Sequence, residues 1–270
     1  MAQETPLIEL REATKRFPTG SGGTHTAVRD LTLSLRRGEF VAVVGPTGCG
    51  KSTMLSLVSG LEPASAGRVL VDGKDVRGIP DGIGYMFQND AVLPWRSVLD
   101  NVAAGPRYRG VAKSAAREKA RDWVRRVGLG GFENYYPHQL SGGMRKRVAL
   151  AQTLVNEPSI LLMDEPFSAL DVQTRALMQD ELLRLWSGTG AAVVFVTHDL
   201  EESVALADRV VVMTSSPATV KASFDVPLER PRQVEEVRLT RQFLDIYREI
   251  WESLREEVEK ARESQVRHVA

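Results

Sequence analysis

Apolar residues in this chain fall in short runs whose texture changes along its length. Leu7-Ile8-Glu9-Leu10, Leu31-Thr32-Leu33-Ser34-Leu35 and Phe40-Val41-Ala42-Val43-Val44 read as brief strands, two of them alternating apolar with polar side chains. Gly20-Ser21-Gly22-Gly23 separates the first two as a flexible turn. Gly67–Gly73 and Gly84–Gln88 predict two more strands, after which the pattern becomes helical from Asn89 to Ala151. Within it, residues 114–127 carry Ala116, Ala120, Trp123, Val124 and Val127 on one face and stop at Gly128. Strand texture returns at Ser159-Ile160-Leu161-Leu162-Met163, apolar throughout and therefore expected to be buried and parallel. A helix from Ser168 to Arg184 and strands at 192–197 and 208–213 follow. Pro227, Pro231 and Arg232 predict a linker. Leu239, Phe243, Ile246, Ile250, Leu254 and Val258 then recur every three or four residues, an amphipathic helix of about 25 residues. It has two readings, packing on its own domain or a dimer or regulatory contact.

Composition narrows the class. The 270 residues hold 35 Lys+Arg and 35 Asp+Glu, a neutral balance that argues against a dedicated nucleic-acid binder. The longest apolar run, Ala191 to Val196, falls far short of the roughly 20 residues of a membrane span. Met1-Ala2-Gln3-Glu4-Thr5 lacks the basic and apolar regions of a signal peptide. The single cysteine, Cys49, forbids an internal disulfide and fits a reducing compartment.

The densest chemistry lies at Gly45-Pro46-Thr47-Gly48-Cys49-Gly50-Lys51-Ser52-Thr53, between an apolar strand and a helical run. Glycines at this spacing let successive N–H groups point at phosphate oxygens, and the following helix adds its positive end. Lys51 can reach the β- and γ-phosphates and the Ser52 hydroxyl can hold Mg²⁺. The loop therefore predicts a nucleoside triphosphate site, in which Cys49 is either a reactive thiol or a small filler. A second phosphate-type site is Leu140-Ser141-Gly142-Gly143, a bare cap leading into a helix. Asp164-Glu165 closes the apolar 159–163 strand, where carboxylates are costly unless they meet a cation, a water or strong donors. Asp164 suits Mg²⁺, and Glu165 suits orienting or deprotonating a water. Gln88 and His198 also end apolar strands, where α/β sheets place ligands. Phe17, an aromatic in a polar stretch, reads either as a satellite core contact or as a ring for a base to stack on.

Taken together, these pieces resemble the ATPase subunit of an ATP-binding-cassette transporter over roughly residues 7–225. Gly45–Thr53 matches the Walker A loop, Gln88 the Q-loop, Leu140–Arg147 the family signature, Ile160–Glu165 Walker B, Ser168–Asp171 the D-loop and His198 the switch histidine. The resemblance implies an α/β P-loop NTPase with a mixed or parallel sheet core, an N-terminal antiparallel β subdomain and an α-helical subdomain inserted at about 89–155. Residues 226–270 would follow as linker and helix. ATP and Mg²⁺ are the implied cofactors: Phe17 would stack on adenine, and Ser52, Gln88 and Asp164 would serve the metal. Glu165 would be the general base and His198 would contact the γ-phosphate. Cassettes of this family pair head to tail, so Ser141, Gly142 and Gly143 would cap ATP held by the opposite subunit, a homodimer or a paired cassette.

Phe87-Gln88-Asn89-Asp90-Ala91-Val92-Leu93-Pro94-Trp95, then Val98–Val102, is similar to importers of nitrate, taurine, alkanesulfonates and related solutes. The resemblance implies membrane permease subunits docking near Leu93-Pro94-Trp95, an extracytoplasmic solute-binding protein, no nucleic-acid partner, and a peripheral place on the cytoplasmic face of the inner membrane. Trp95 could instead belong to the helical core. The rivals are a soluble cassette of DNA repair or translation, which usually carries two cassettes or long insertions, and an exporter subunit, against which Leu93-Pro94-Trp95 argues. One departure is Lys146, where glutamine is common; placed on the helix face beyond the phosphate, it predicts altered surface contacts and retained activity.

Overall fold

The computed structural model describes residues 5–269 except 21 and 90, with side chains through 263. Met1 to Glu4, Ser21 of the glycine turn and Asp90 of the 87–95 segment lie outside the described residues. In chain order come β1 (Ile8–Pro18), β2 (Thr24–Leu35), β3 (Phe40–Val44), α1 (Lys51–Ser59), β4 (Ala66–Val71), β5 (Lys74–Asp75) and β6 (Ile83–Met86). The helices α2 (Val98–Val102), α3 (Ala104–Tyr108), α4 (Lys113–Arg126) and α5 (Gly142–Leu154) follow, then β7 (Ile160–Asp164) and α6 (Val172–Trp186). The chain continues through β8 (Ala192–Val196), α7 (Leu200–Leu206), β9 (Arg209–Met213), β10 (Val220–Asp225), α8 (Val234–Arg238) and α9 (Arg241–Val269). It divides into two compact units, Met1–Asp81 with Gly190–Ala270, and Gly82–Thr189.

In the first unit, β1 runs well past the alternating stretch that predicted it. Its ladder with β2 holds from Ile8↔Leu35 to Pro18↔Thr24, but the register shifts three times after Leu10, and Glu12 sits at φ +49°. Each shift turns the strand, so Ala13, Thr14 and Lys15 are buried in succession and period-2 alternation disappears. β4 adds to β1 and β5 to β4, both antiparallel. Separately, β3 pairs in parallel with β8 and β9, and all five of its residues are buried. A strand flanked on both sides and covered on both faces must be apolar throughout. β10, which alternates apolar with polar residues, completes this set as an antiparallel edge on β9.

Arg232 is the anchor of the segment that the prolines marked as a linker. It is buried and donates to the carbonyls of Ala205, Ala207, Val226, Leu228 and Glu229. Burial, then the neighbouring Arg230, pushes its guanidinium down to about 10. After it, α9 packs against α7, α8 and β9, so the helix lies on its own unit. Phe243, Ile250 and Leu254 are buried, whereas Leu239 is exposed and Glu257 takes the next inward position. Glu257 is accommodated there by the Ser215 N–H (3.0 Å), Lys260 (2.7 Å) and Lys221 (3.2 Å).

The second unit pairs β6 with β7 in parallel, from Ile83↔Ile160 to Met86↔Met163, among α2 to α6. α4 buries Ala116, Ala120, Trp123 and Val124 and ends before Gly128 at φ +69°. Asn101 is fully buried and organises the segment before α2. Its Oδ1 accepts from Leu93 N at 2.7 Å, and its amide donates to the carbonyls of Leu93, Arg96 and Ser97 at 3.0–3.1 Å. Trp95 is thereby held outward, 70 % exposed, and is not part of the core. Among the described residues no helix is long and apolar enough to cross a membrane.

Burial alone would push the Glu257 carboxyl up, but the hydrogen bonds from Lys260, Ser215 and Lys221 outweigh it and hold it below the ordinary 4.5. A carboxyl that binds its proton more weakly in the folded chain stabilises the fold above 4.5 and loses that contribution as pH falls below it. Glu257→Gln is therefore expected to lower the urea midpoint at neutral pH. The gap to the parent should close as pH drops through the carboxylate range, as followed by circular dichroism.

Candidate nucleotide site

In the first unit the loop after β3 is tightly folded. Cys49 N donates to Pro46 O at 3.2 Å, and Met54 N to Gly50 O at 2.9 Å, which starts α1. Gly50 has φ +128°, and a Cβ there would lie 2.7 Å from the Ala27 carbonyl and 3.2 Å from Ala218 and Val28, so the position requires glycine. Gly45 is similarly close to Met213 O, at 3.2 Å. No side chain caps the N-terminus of α1, which leaves its first-turn N–H groups to an anion. Lys51 is buried, with Nζ 2.8 Å from Gly45 O and 3.0 Å from Pro46 O, so its charge sits inside the curl of the loop. Thr47, Gly48 and Ser52 are exposed at its mouth, Thr53 half-buried behind them. Cys49 is only 2 % exposed, and burial pushes its thiol up despite the nearby Lys51 ammonium. That makes it the filler of the two readings, since a reactive cysteine needs a lowered pKa and access.

Phe17, near the end of β1 opposite His25, is half-buried, with the Lys15 ammonium 4.9 Å from its ring centroid. Lys15 is itself fixed by Glu62 (2.7 Å) and Pro63 O (2.9 Å). His198 is exposed just beyond β8. Its neighbours hold that corner: Thr197 donates to Glu202 at 2.8 Å, and Asp199 caps α7 by accepting from the N–H groups of Glu201 and Glu202.

In the second unit β7 ends at Asp164, and Glu165 follows at φ +43°. A left-handed glutamate is uncommon, and such strain persists only where neighbours enforce it. Here the Ser168 hydroxyl and N–H both donate to the Glu165 carbonyl, at 3.0 and 3.3 Å. Gln88 does not close its strand as the apolar pattern predicted. β6 ends at Met86, and Gln88 lies two residues further on, exposed, with Nε2 3.3 Å from Glu165 Oε2. Burial, then the Asp164 carboxylate, pushes the Tyr85 phenol up.

Ser141 caps α5, its Oγ accepting from Met144 N at 3.3 Å, and Gly142 follows at the exposed start of the helix. Gly143 is constrained by Thr174, whose methyl would lie 2.7 Å from an added Cβ. Asp171 caps α6 through Thr174 N at 3.0 Å, and the Thr174 backbone N–H and hydroxyl hold its carboxyl below the usual range. Lys146 corrects the sequence-based expectation of a surface residue. It is 3 % exposed, and its Nζ donates to the Gln88 carbonyl at 3.1 Å. The signal was present, because Lys146, Leu150 and Leu154 are spaced by four and share the buried face of α5.

The candidate metal donors Ser52, Gln88 and Asp164 each carry an oxygen, the donor atom Mg²⁺ prefers. Among the described residues no group of three His, Cys, Asp or Glu could hold a metal ion.

The profile of the ABC transporter family matches residues 28–168. An uncharacterized ABC transporter ATP-binding protein of Methanocaldococcus jannaschii is 44% identical over 94% of this chain and 93% of its own length. The taurine import ATP-binding protein of Burkholderia pseudomallei is 41% identical over 88% of this chain and 93% of its length. The aliphatic sulfonates import ATP-binding protein of Bacillus thuringiensis is 37% identical over 83% and 88%. A dimeric ATP-binding cassette solved in a post-hydrolysis state with ADP and Pi superimposes with a TM-score of 0.73 at 29% identity, covering 82% of this chain and all of that one.

Because the Gly50 position admits no Cβ, Gly50→Ala is expected to weaken binding of a fluorescent ATP analogue by at least about tenfold, a cost of roughly 1.4 kcal/mol. Titration against the parent protein checks this.

Proposed function

The chain belongs to the ABC transporter family of ATPases, and we propose that it is the energy-coupling subunit of an importer for a small solute such as taurine, an alkanesulfonate or nitrate. The observation that carries the importer reading is the 41% identity to a taurine import ATP-binding protein across 88% of the chain. In this reading residues 1–225 form the ATPase domain, with a helical part at about 89–155, and 226–270 append a linker and helix.

ATP would lie on the Gly45–Thr53 loop, with Lys51 and the N–H groups of α1 on its phosphates and Phe17 on adenine. Ser52, Gln88 and Asp164 would hold Mg²⁺, which when bound screens charge on the phosphates. Glu165 would take the proton of the attacking water as its oxygen bonds to the γ-phosphorus and the bond to the β-phosphate oxygen breaks. The Gln88–Glu165 contact at 3.3 Å supports this assignment, because it restrains the carboxylate's orientation. His198 would donate to the γ-phosphate, where charge accumulates. Ser141, Gly142 and Gly143, with the Asp171 turn, would meet the ATP of a second cassette, so that ATP closes a dimer and hydrolysis releases it.

The permease subunits would dock on the second unit. A cleft of about 340 Å³ there is lined by Met86, Phe87, Leu93 and Tyr108 among others. Tyr108 on its wall is 74 % exposed, and Trp95, two residues beyond Leu93, is 70 % exposed, which offers aromatic side chains to a partner. The assembly would include an extracytoplasmic solute-binding protein and place this chain on the cytoplasmic face of the membrane.

Glu165→Gln is expected to bind ATP but to hydrolyse it at least about a hundredfold more slowly, accumulating as a dimer on size exclusion with ATP. Near-parental turnover would remove Glu165 as the base. A tagged chain extracted gently from its native membranes is expected to bring down a polytopic membrane protein in equal amount. Recovery only with ribosomes or DNA would overturn the transporter reading.

A further inference from the structure

Lys146 places a long cationic side chain where the spacing of α5 calls for an apolar one, level with Leu150 and Leu154. Burying an ammonium is costly unless strong acceptors meet it. An acceptor that does so is the main-chain carbonyl of Gln88, at 3.1 Å. Gln88 is two residues beyond the last rung of the β6–β7 ladder, Met86↔Met163, so the sheet does not fix it. Its side chain reaches Glu165 at 3.3 Å, near the outer limit of a hydrogen bond, where a shift of a few tenths of an ångström decides whether the contact is made.

We propose that Lys146 is a positioning residue for ATP hydrolysis: from the second turn of α5 it holds the Gln88 backbone and thereby sets the Gln88 side chain against Glu165. The proposal rests on the reading of Glu165 as the base. It gives α5 a second task. The helix presents Ser141, Gly142 and Gly143 at its start, and one turn later it grips the segment that orients the hydrolytic carboxylate. Movement of α5 when its N-terminus engages a phosphate would reach Glu165 through Lys146 and Gln88. A lysine suits this because a charge-assisted donor to a carbonyl is stronger than a neutral one, and its four-carbon stem spans from the buried face.

The test is steady-state hydrolysis by the full chain with ATP and Mg²⁺, comparing Lys146→Met, Lys146→Arg, Gln88→Ala and the Lys146→Met/Gln88→Ala double variant. Lys146→Met is expected to lower kcat about tenfold with KM for ATP within about twofold, the pattern of lost transition-state positioning. Lys146→Arg should recover most of that loss. With Gln88→Ala already present, Lys146→Met should cost less than about twofold, since coupled residues are not additive. Unchanged kcat in Lys146→Met, or the same loss in both backgrounds, would overturn the proposal. If Lys146→Met does not accumulate as folded protein, Lys146→Leu, which likewise lacks a donor, carries the same comparison. Glu165→Gln is assayed alongside. Should it turn over at the parental rate, the reading of Glu165 fails, and the Lys146–Gln88 coupling is still decided by the cycle.

Discussion

A strand that is paired on both edges and covered on both faces can carry chemistry only where it stops, and the candidate residues of each unit follow from that constraint. β3 is such a strand, and β7 and β8 are buried along almost their whole length. β3 runs into the Gly45–Thr53 loop, β7 into Asp164 and Glu165, and β8 into His198. Within each strand a polar side chain would lose its water without gaining a partner. At the carboxyl end the backbone leaves the ladder, helices begin, and unsatisfied N–H groups become available to an anion. The conformations there are correspondingly unusual: Gly50 at φ +128° is possible because it lacks a Cβ, and Glu165 at φ +43° is clamped by Ser168.

Inside the protein, buried polar side chains serve as fasteners for segments that have no ladder of their own. Asn101 satisfies four hydrogen bonds around the turn that displays Trp95. Arg232 gathers five carbonyls where two elements must be joined. Glu257 ties α9 to Ser215 on the loop after β9. Each is densely partnered, as a low-dielectric interior demands. Lys146 belongs to the same class, and what it fastens is the segment carrying Gln88.

Helix caps recur at the candidate positions for a related reason. Ser141, Asp171 and Asp199 each accept from the N–H groups of the helix they begin. A cap fixes the backbone within a turn of itself, so the neighbouring residues of the signature, the Asp171 turn and the His198 corner are held without bulky packing. Ser141, Gly142 and His198 therefore stay exposed while their backbones remain defined.

The sequence alone determined the buried strands, the glycine loop, the order of the motifs and hence the family, because these depend on local periodicity and on backbone conformations open only to glycine. It also indicated the amphipathic C-terminal helix. Only the tertiary structure decided what depends on partners far along the chain. The register shifts of β1 erased its alternation beyond Leu10, and β10 joins the ladder only as an antiparallel edge on β9. Trp95 is exposed because Asn101 holds its turn outward, and Gln88 lies beyond its strand because the β6–β7 ladder stops at Met86. Lys146 reads as a surface charge by residue type and as a core position by spacing. The conflict is resolved by a carbonyl 58 residues away in sequence, which no local pattern could supply.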